Sequence, residues 1–126
     1  IDMCKITENH YFHPMMKGSS SIKSVLPAIW KNYPNLQEHP CFQKYYCVEN
    51  GNVLNPYDLL EPIFIEDDHQ VIRDGTGAMK AYQEMMYGRK RNDKEIRKKW
   101  TNLLRQYCEL DTLAMVAIWE YWRLRN

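Results

Sequence analysis

The amino-acid sequence predicts a mainly helical domain with a minor amount of β-strand. Two stretches, residues 22–30 and 93–125, carry apolar side chains at intervals of three and four, the spacing of an amphipathic helix. A third stretch contains Asn50-Gly51 between two short apolar runs, which is typical of a β-hairpin. Together these three stretches predict the fold class mainly α with minor β.

Length and composition predict a single folded domain over residues 1–126. The chain has 126 residues, of which 44% are hydrophobic, and this is enough for one core but small for two. The net charge of +1 gives no global signal for nucleic acid. Four cysteines follow no secretory signal, and no apolar run approaches a membrane span. We therefore expect reduced thiols, a cytoplasmic location and no membrane partner.

The first thirty residues are expected to hold a strand, a loop and a helix. Residues 1–6 are short and mostly apolar, which is compatible with a strand, and residues 10–18 are expected to form a loop. Serine hydroxyls at residues 19–21 can cap the helix that follows. Pro27 lacks a backbone donor, so it is expected to kink or shorten that helix. The apolar positions of the helix are Ile22, Val25, Leu26, Ile29 and Trp30.

Prolines punctuate the middle of the chain and exclude a long helix there. A β-hairpin is expected around Asn50-Gly51, followed by one helical turn over residues 57–60. A further helix is expected over residues 78–87 after Asp74-Gly75-Thr76-Gly77. Asn92 and Glu95 resemble a capping box at the start of the last helix.

An acidic residue, Asp111, falls within the apolar stripe of the last helix. The stripe consists of Ile96, Trp100, Leu103, Leu104, Tyr107, Ala114, Ile118 and Trp122. At about 100° per residue, Asp111 projects between Leu104 and Tyr107, in the middle of the stripe. A carboxylate there needs a partner, because desolvation without one costs several kcal/mol. A metal ion, an arginine or lysine, or backbone donors could each supply that partner.

Tyr107 lies four residues before Asp111, so the two side chains share one face of the helix. A carboxylate can hold a divalent cation, and a neighbouring phenol can orient a water bound to it. Metal-assisted phosphodiester hydrolysis needs such an arrangement. The alternatives are a structural acid paired with a lysine or arginine, and a packed aromatic with its hydroxyl at the boundary.

Tyr107-Cys108-Glu109-Leu110-Asp111 resembles the third motif of the DnaQ-like, DEDD-type 3′–5′ exonucleases, in the branch that carries a tyrosine. The chain is more similar still to a bacterial family of unknown function that joins an exonuclease-like RNase H fold to a RecB-type nuclease region. The matching segments, in the order of that family, are Ile1-Asp2-Met3, Tyr11-Phe12-His13-Pro14, Lys17-Gly18-Ser19-Ser20-Ser21-Ile22-Lys23-Ser24-Val25-Leu26-Pro27, Asp74-Gly75-Thr76-Gly77-Ala78-Met79 and Tyr107-Cys108-Glu109-Leu110-Asp111-Thr112-Leu113-Ala114-Met115-Val116.

The resemblance implies that this chain is the helix-rich C-terminal half of an α/β RNase H-like exonuclease domain. In the complete domain, Asp111 would hold a catalytic Mg²⁺ or Mn²⁺, Tyr107 would position the attacking water, and the partners would be DNA or RNA ends. The chemistry of this family also needs an Asp-x-Glu on a first strand and a further helical acid, which would precede Ile1. Because one of four acids cannot assemble a two-metal site, the isolated chain is expected to be inert.

Two groups of residues are candidates for contact with nucleic acid. Lys17, Ser21 and Lys23 crowd the start of a helix, where backbone amides favour an anion. Arg89, Lys90 and Arg91 begin a run in which seven of the eleven residues 89–99 are basic. The alternatives are an ordinary N-cap with solvated lysines and a solvated charged face, although positive charge at a helix N-terminus opposes the macrodipole.

A non-catalytic helical module that binds nucleic acid or protein is the alternative function. It would use the basic face of residues 89–99 together with exposed aromatic side chains. A strand over residues 1–6 without its sheet neighbours would leave its edges unpaired. The alternatives are then a homo-oligomer, a frayed start of the chain, and pairing of this strand with the hairpin near Asn50.

Overall fold

The computed structural model describes residues 1–61, 63–64, 71–72 and 75–125, with side chains described outside residues 62–77. It is mainly helical with a minor amount of strand, as predicted. The helices are α1 (Met3–His10), α2 (Ile22–Asn32), α3 (Pro34–Gln37), α4 (Gly75–Tyr87) and α5 (Lys94–Arg125), with 3₁₀ turns at Pro14–Met16, Gln43–Tyr45 and Pro56–Leu59. The strands are β1 (Val48–Glu49), β2 (Asn52–Val53), β3 (Ile63–Phe64) and β4 (Val71–Ile72).

The chain divides into two compact units. The first unit comprises Ile1–Leu59 and Leu110–Asn126, and the second comprises Leu60–Glu109. Helix α5 contributes to both, since its residues 94–109 belong to the second unit and its residues 110–125 to the first.

Helix α1 occupies the start of the chain, so the predicted strand over residues 1–6 is wrong. Asp2 caps the helix, because its Oδ1 accepts hydrogen bonds from the backbone N–H groups of Cys4 (3.0 Å) and Lys5 (3.3 Å). Thr7 is buried and donates its hydroxyl to the Met3 carbonyl at 2.8 Å. A window of six residues is too short to separate a strand from a capped helix. Homo-oligomer formation stays a prediction, but the unpaired edge strand that was its reason is not present in the structure.

Helix α2 confirms the amphipathic pattern. The buried residues are Val25, Leu26, Ala28, Ile29 and Trp30. Ser21 occupies the N-cap position, but the predicted capping by its hydroxyl is wrong, because the Ser21 side chain makes no capping hydrogen bond. Pro27 does not end the helix, which continues to Asn32. A proline removes one backbone donor, and the burial of side chains on both sides of it stabilises the helix enough to continue.

The hairpin at Asn50-Gly51 is confirmed. Strands β1 and β2 pair antiparallel, with Val48 opposite Val53 and Glu49 opposite Asn52. Asn50 and Gly51 both have positive φ angles, 50° and 78°, which the tight turn between paired strands requires. The strands are shorter than the apolar runs because Tyr45 belongs to a 3₁₀ turn. The single helical turn expected at residues 57–60 is present as the 3₁₀ turn Pro56–Leu59.

The second unit contains a short hairpin and two packed helical segments. Strands β3 and β4 pair antiparallel, and α4 begins at Gly75, three residues before the predicted start. Asp74, a residue of the family resemblance, lies outside the described residues. Ala81 of α4 and Leu103 of α5 are buried together, with Trp100 and Leu104 packed against them.

Helix α5 starts one residue from the predicted cap. Asp93, rather than Asn92, accepts from the N–H groups of Glu95 (3.0 Å) and Ile96 (3.1 Å) through its Oδ1. No helix among the described residues is long and apolar enough to cross a membrane. All four cysteines belong to the described part of the chain, and none of them forms a disulfide bond.

Candidate functional site

Asp111 lies at the edge of the buried face of α5, and not in its middle as predicted. In the first unit that face consists of Leu110, Ala114, Ala117, Ile118 and Tyr121, all of them buried. At about 100° per residue, Asp111 projects roughly 75° from the centre of this face. Its side chain is accordingly half-buried. The centre of the predicted stripe lay closer to Asp111 than the centre of the observed buried face does. The prediction omitted Leu110, Ala117 and Tyr121, which are buried on the side of the face away from Asp111.

Among the described residues, the partner of Asp111 is a neutral hydroxyl group. Tyr57 Oη donates a hydrogen bond to Asp111 Oδ1 at 2.7 Å. This contact joins two elements of the first unit, the 3₁₀ turn Pro56–Leu59 and helix α5. The carboxylate is therefore partly desolvated and hydrogen-bonded, as a buried polar group must be.

Local turn chemistry holds Tyr57 in place. The Asn55 side-chain oxygen accepts from the Tyr57 backbone N–H at 3.2 Å, and the Asn55 carbonyl accepts from Asp58 N–H at 2.9 Å. Pro56 is buried at the start of the turn. An asparagine that bonds its own backbone two residues later, followed by proline, is a common way to fix a tight turn. Tyr57 is thus held on a turn with restricted backbone freedom.

The electrostatics keep Tyr57 protonated. Burial, and then the hydrogen bond to the Asp111 carboxylate, raise the pKa of Tyr57 above its ordinary value of 10.0. The phenol therefore acts as a donor at neutral pH and leaves the negative charge of Asp111 in place. Lys23 of α2 brings a positive charge to the same region, with its Nζ 5.8 Å from the centroid of the Tyr57 ring.

Replacing Tyr57 with phenylalanine is expected to make the stability of the protein less sensitive to alkaline pH. An unfolded tyrosine ionises near pH 10, whereas folded Tyr57 stays protonated to higher pH. Above pH 10 the unfolded state thus binds fewer protons, and the free energy of unfolding falls as the pH rises. Urea unfolding between pH 8 and pH 11 should show a shallower decline for Tyr57→Phe. At pH 7 the variant should be less stable by about 1 kcal/mol because it lacks the hydrogen bond.

Tyr46→Phe is the matched control, since Tyr46 is an exposed tyrosine of the same unit. The alkaline decline of this variant should be steeper than that of Tyr57→Phe, because it keeps the buried Tyr57 phenol. Equal slopes for Tyr57→Phe and the wild-type chain would show that the Tyr57 phenol is not held protonated by the fold.

The structure places Lys17, Ser21 and Lys23 around the start of α2. Lys17 is exposed and adopts a left-handed backbone conformation with φ 50°. Ser21 is the N-cap residue, and its hydroxyl lies 3.3 Å from that of Ser24. Lys23 is half-buried beside Tyr57. The sequence predicted Lys23 and Asp111 as parts of two separate sites. In the structure both lie beside Tyr57, whose ring is near the Lys23 ammonium group and whose hydroxyl binds Asp111.

Sequence reasoning missed Tyr57. The sequence predicts a helical turn over residues 57–60, but nothing in it pairs that turn with α5. Tyr57 and Asp111 are 54 positions apart. Only an alignment of covarying residues could have signalled such a contact.

Tyr107 is one helical turn before Asp111 on α5 and belongs to the second unit. Only 7% of its surface is exposed. Such burial is typical of a packed aromatic, the alternative that the sequence left open. A role for Tyr107 in orienting water stays a prediction.

Arg89, Lys90 and Arg91 are exposed in the turn between α4 and α5. They belong to the second unit, whereas Lys17, Ser21 and Lys23 belong to the first. The two groups of nucleic-acid candidates therefore occupy different compact units.

The described residues offer a single candidate ligand for a metal ion at this site, the carboxylate of Asp111. Among them, no group of three or more histidine, cysteine, aspartate or glutamate side chains could hold a metal ion. A carboxylate has two oxygens and several lone pairs, so the bond from Tyr57 leaves Asp111 with capacity for a cation. Mg²⁺ takes about six oxygen ligands and keeps several waters, with one or two carboxylates from protein.

An Asp-x-Glu triplet does occur in the chain, Asp93-Lys94-Glu95. The structure places it at the N-terminus of α5, where Asp93 caps the helix. The exonuclease resemblance implies such a triplet on a strand, so Asp93-Lys94-Glu95 does not match it.

Comparisons with protein-family models, with curated proteins and with solved structures found no match to this chain. The resemblance to exonucleases therefore rests on the sequence motifs alone.

Proposed function

We propose that this chain forms the C-terminal portion of a metal-dependent 3′–5′ exonuclease with an RNase H-like fold, which hydrolyses phosphodiester bonds at DNA or RNA ends. Asp111 holds a catalytic Mg²⁺ or Mn²⁺ in the complete domain. Further acidic ligands come from the rest of that domain. The chain alone is inert, because one carboxylate cannot assemble a two-metal site.

The hydrogen bond from Tyr57 to Asp111 supports this proposal. A lysine or arginine bound to the carboxylate would cancel its charge and compete with a metal ion. A tyrosine hydroxyl instead fixes the position of Oδ1 and adds no positive charge, because a protonated phenol is neutral. The raised pKa of Tyr57 favours this neutral form over the phenolate. A partly desolvated, positioned carboxylate is what a hard divalent cation requires from a protein ligand.

Lys23 adds a second element to the site. Its ammonium group lies 5.8 Å from the centre of the Tyr57 ring, and Tyr57 contacts Asp111. A lysine beside a metal-binding carboxylate can contact the phosphate oxygens that the metal also binds. In this proposal Lys23 binds the substrate backbone and Asp111 binds the metal ion. The metal would supply Lewis acidity and an activated water.

Paramagnetic Mn²⁺ titration followed by NMR tests the metal role of Asp111. We expect broadening of the amide signals of Leu110, Asp111 and Thr112 at millimolar Mn²⁺, because a single carboxylate binds weakly. Asp111→Asn should abolish this local broadening. Asp58→Asn is the matched control, because Asp58 is an exposed acid in the 3₁₀ turn that carries Tyr57, and it should leave the broadening in place.

Two outcomes would contradict the proposal. Broadening that is insensitive to Asp111→Asn would exclude Asp111 as a metal ligand. Degradation of single-stranded DNA or RNA by the isolated chain with Mg²⁺ or Mn²⁺, above the level of Asp111→Asn, would show that the chain is not inert.

The alternative is a non-catalytic helical module that binds nucleic acid or protein. The observation that favours it is the exposure of Arg89, Lys90 and Arg91, together with Lys94, Arg97 and Lys98. Lys99, in the same basic run, has its Nζ 3.7 Å from Glu61 Oε1.

A further inference from the structure

The last turn of α4 ends in an exposed tyrosine. Tyr87 is the final residue of the helix, and 76% of its surface is exposed. The face of α4 that packs within the second unit carries Ala81 and Met85, both buried. Met85 also accepts a hydrogen bond from Thr101 at its Sδ, 3.4 Å away. Tyr87 is thus not needed for the packing of α4.

Cations flank Tyr87 on both sides along the chain. Arg89 follows it by two residues, so their Cα atoms are within about 7 Å of one another. Lys80 is seven residues earlier, which places it on nearly the same helical face and about 10 Å away along the axis. Both Lys80 and Arg89 are exposed, whereas Glu84 on this face is half-buried.

The turn after Tyr87 has a defined backbone. Arg91 N–H donates to the Gly88 carbonyl at 3.2 Å, and Asp93 N–H donates to the Lys90 carbonyl at 2.9 Å. The Arg97 guanidinium donates to the Arg91 carbonyl at 3.5 Å. These bonds hold Arg89 and Arg91 close to the end of α4.

We propose that Tyr87, Arg89 and Arg91 form a binding surface for single-stranded nucleic acid, with a base stacked on Tyr87 and phosphates on the two arginines. Single-strand binding proteins combine exposed aromatic rings with a cationic track in this way. Duplex nucleic acid would use the cations but not the ring, because its bases are stacked inside. An apolar protein partner would use the ring but would leave the arginine charges unpaired.

This inference takes one thing from the proposed function, namely that the ligand is a strand of nucleic acid. It does not require Asp111 or a metal ion. It adds a binding surface in the second unit to the site of the first unit. Because bases of DNA and RNA stack alike, the surface is expected to take both.

Fluorescence anisotropy with labelled oligo(dT) and oligo(rU), each of about 10 nucleotides, tests the surface. Tyr87→Ala should weaken binding by about 5- to 100-fold, and Tyr87→Phe should retain affinity because it keeps a ring for stacking. The double variant Arg89→Ala/Arg91→Ala should reduce the slope of log affinity against log salt by about 1.4, since each phosphate contact contributes about 0.7.

The chain offers two matched controls. Tyr82 is an exposed tyrosine of the same helix, but it projects about 140° away from Tyr87, so Tyr82→Ala should leave affinity unchanged. Arg105 is an exposed arginine of the second unit outside the turn, and Arg105→Ala should leave the salt slope unchanged. Circular dichroism on every variant separates loss of binding from loss of folding.

The proposal is overturned by undetectable binding of the wild-type chain, or by equal losses for Tyr87→Ala and Tyr82→Ala. The proposal would also be overturned if duplex and single-stranded oligonucleotides bound with equal affinity and Tyr87→Ala changed neither. That result would show a cationic surface without base stacking. Self-association that depends on Tyr87 without oligonucleotide binding would assign the surface to a protein contact. Asp111→Asn should not alter oligonucleotide binding, so failure of the metal-site proposal is measured separately.

Discussion

Trp30→Ala is expected to lower the free energy of unfolding by about 3–5 kcal/mol, because it removes a large side chain from the core of the first unit. Trp30 is 2% exposed, and its ring meets that of Phe42 edge to face at 6.1 Å between centroids. The cavity left by alanine would deprive Phe42 and neighbouring apolar side chains of their contacts. Urea unfolding followed by far-ultraviolet circular dichroism measures the loss.

Trp30→Phe is expected to cost much less, roughly 1–2 kcal/mol. The indole Nε1 of Trp30 is buried, and it has no hydrogen-bond partner in the described part of the chain. A phenyl ring removes that unsatisfied donor, and this gain offsets part of the lost packing. Because the indole donor has no described partner, we expect Trp30→Phe to lower the free energy of unfolding less than a buried tryptophan-to-phenylalanine substitution usually does.

The matched control for Trp30 is Trp119→Ala in helix α5, where the tryptophan is 44% exposed. We expect a smaller loss for this variant, about 1 kcal/mol, because nearly half of the Trp119 surface is already exposed to water. If Trp30→Ala were no more destabilising than Trp119→Ala, Trp30 would not be a core residue.

Tyr121→Ala is the second substitution with a large expected effect, also about 3–5 kcal/mol. Tyr121 is almost fully buried at the centre of an aromatic cluster in the first unit. Its ring lies edge to face with those of Tyr33 at 4.7 Å, Tyr11 at 5.2 Å and Trp122 at 5.3 Å. Such pairs add about 0.5–1.5 kcal/mol each beyond the burial of their area.

The hydroxyl of Tyr121 contributes separately from its ring. Arg125 Nη1 donates a hydrogen bond to Tyr121 Oη at 2.6 Å, and the guanidinium carbon lies 5.1 Å from the ring centroid. Tyr121→Phe keeps the ring contacts and loses the hydrogen bond, so we expect a loss of only about 1 kcal/mol. Thermal unfolding of both variants separates the two contributions. Leu124→Ala, at an exposed position of α5, should change stability little.

Helices α2 and α5 and the hairpin β1–β2 could be predicted because their signals are local. An apolar residue every three or four positions and an Asn-Gly turn act within a few residues of one another. Helix α1 could not be predicted in this way. Its Asp2 cap and buried Thr7 occupy too few residues to outweigh the apolar composition of residues 1–6.

The candidate site was predicted in part. The sequence indicates Asp111 as a candidate metal ligand, because it is an acid among apolar residues. It indicates Lys23 as a candidate nucleic-acid contact at a helix start, but it does not relate the two residues. The contact that relates them is made by Tyr57, which approaches α5 from a distant turn. A hydrogen bond between side chains far apart in sequence depends on how the elements pack, and no local pattern encodes it.

By itself, the sequence determined that this protein is mainly helical, where α2 and α5 run, and which acid stands out on α5. These features follow from local backbone preferences and from the period of apolar side chains. Only the tertiary structure decided which face of α5 is buried and that, among the described residues, a tyrosine hydroxyl donates a hydrogen bond to Asp111. Packing selects among the several faces that an apolar pattern permits, because each buried side chain, such as Leu110, Ala114 or Ala117, must fit the space that the other packed side chains leave.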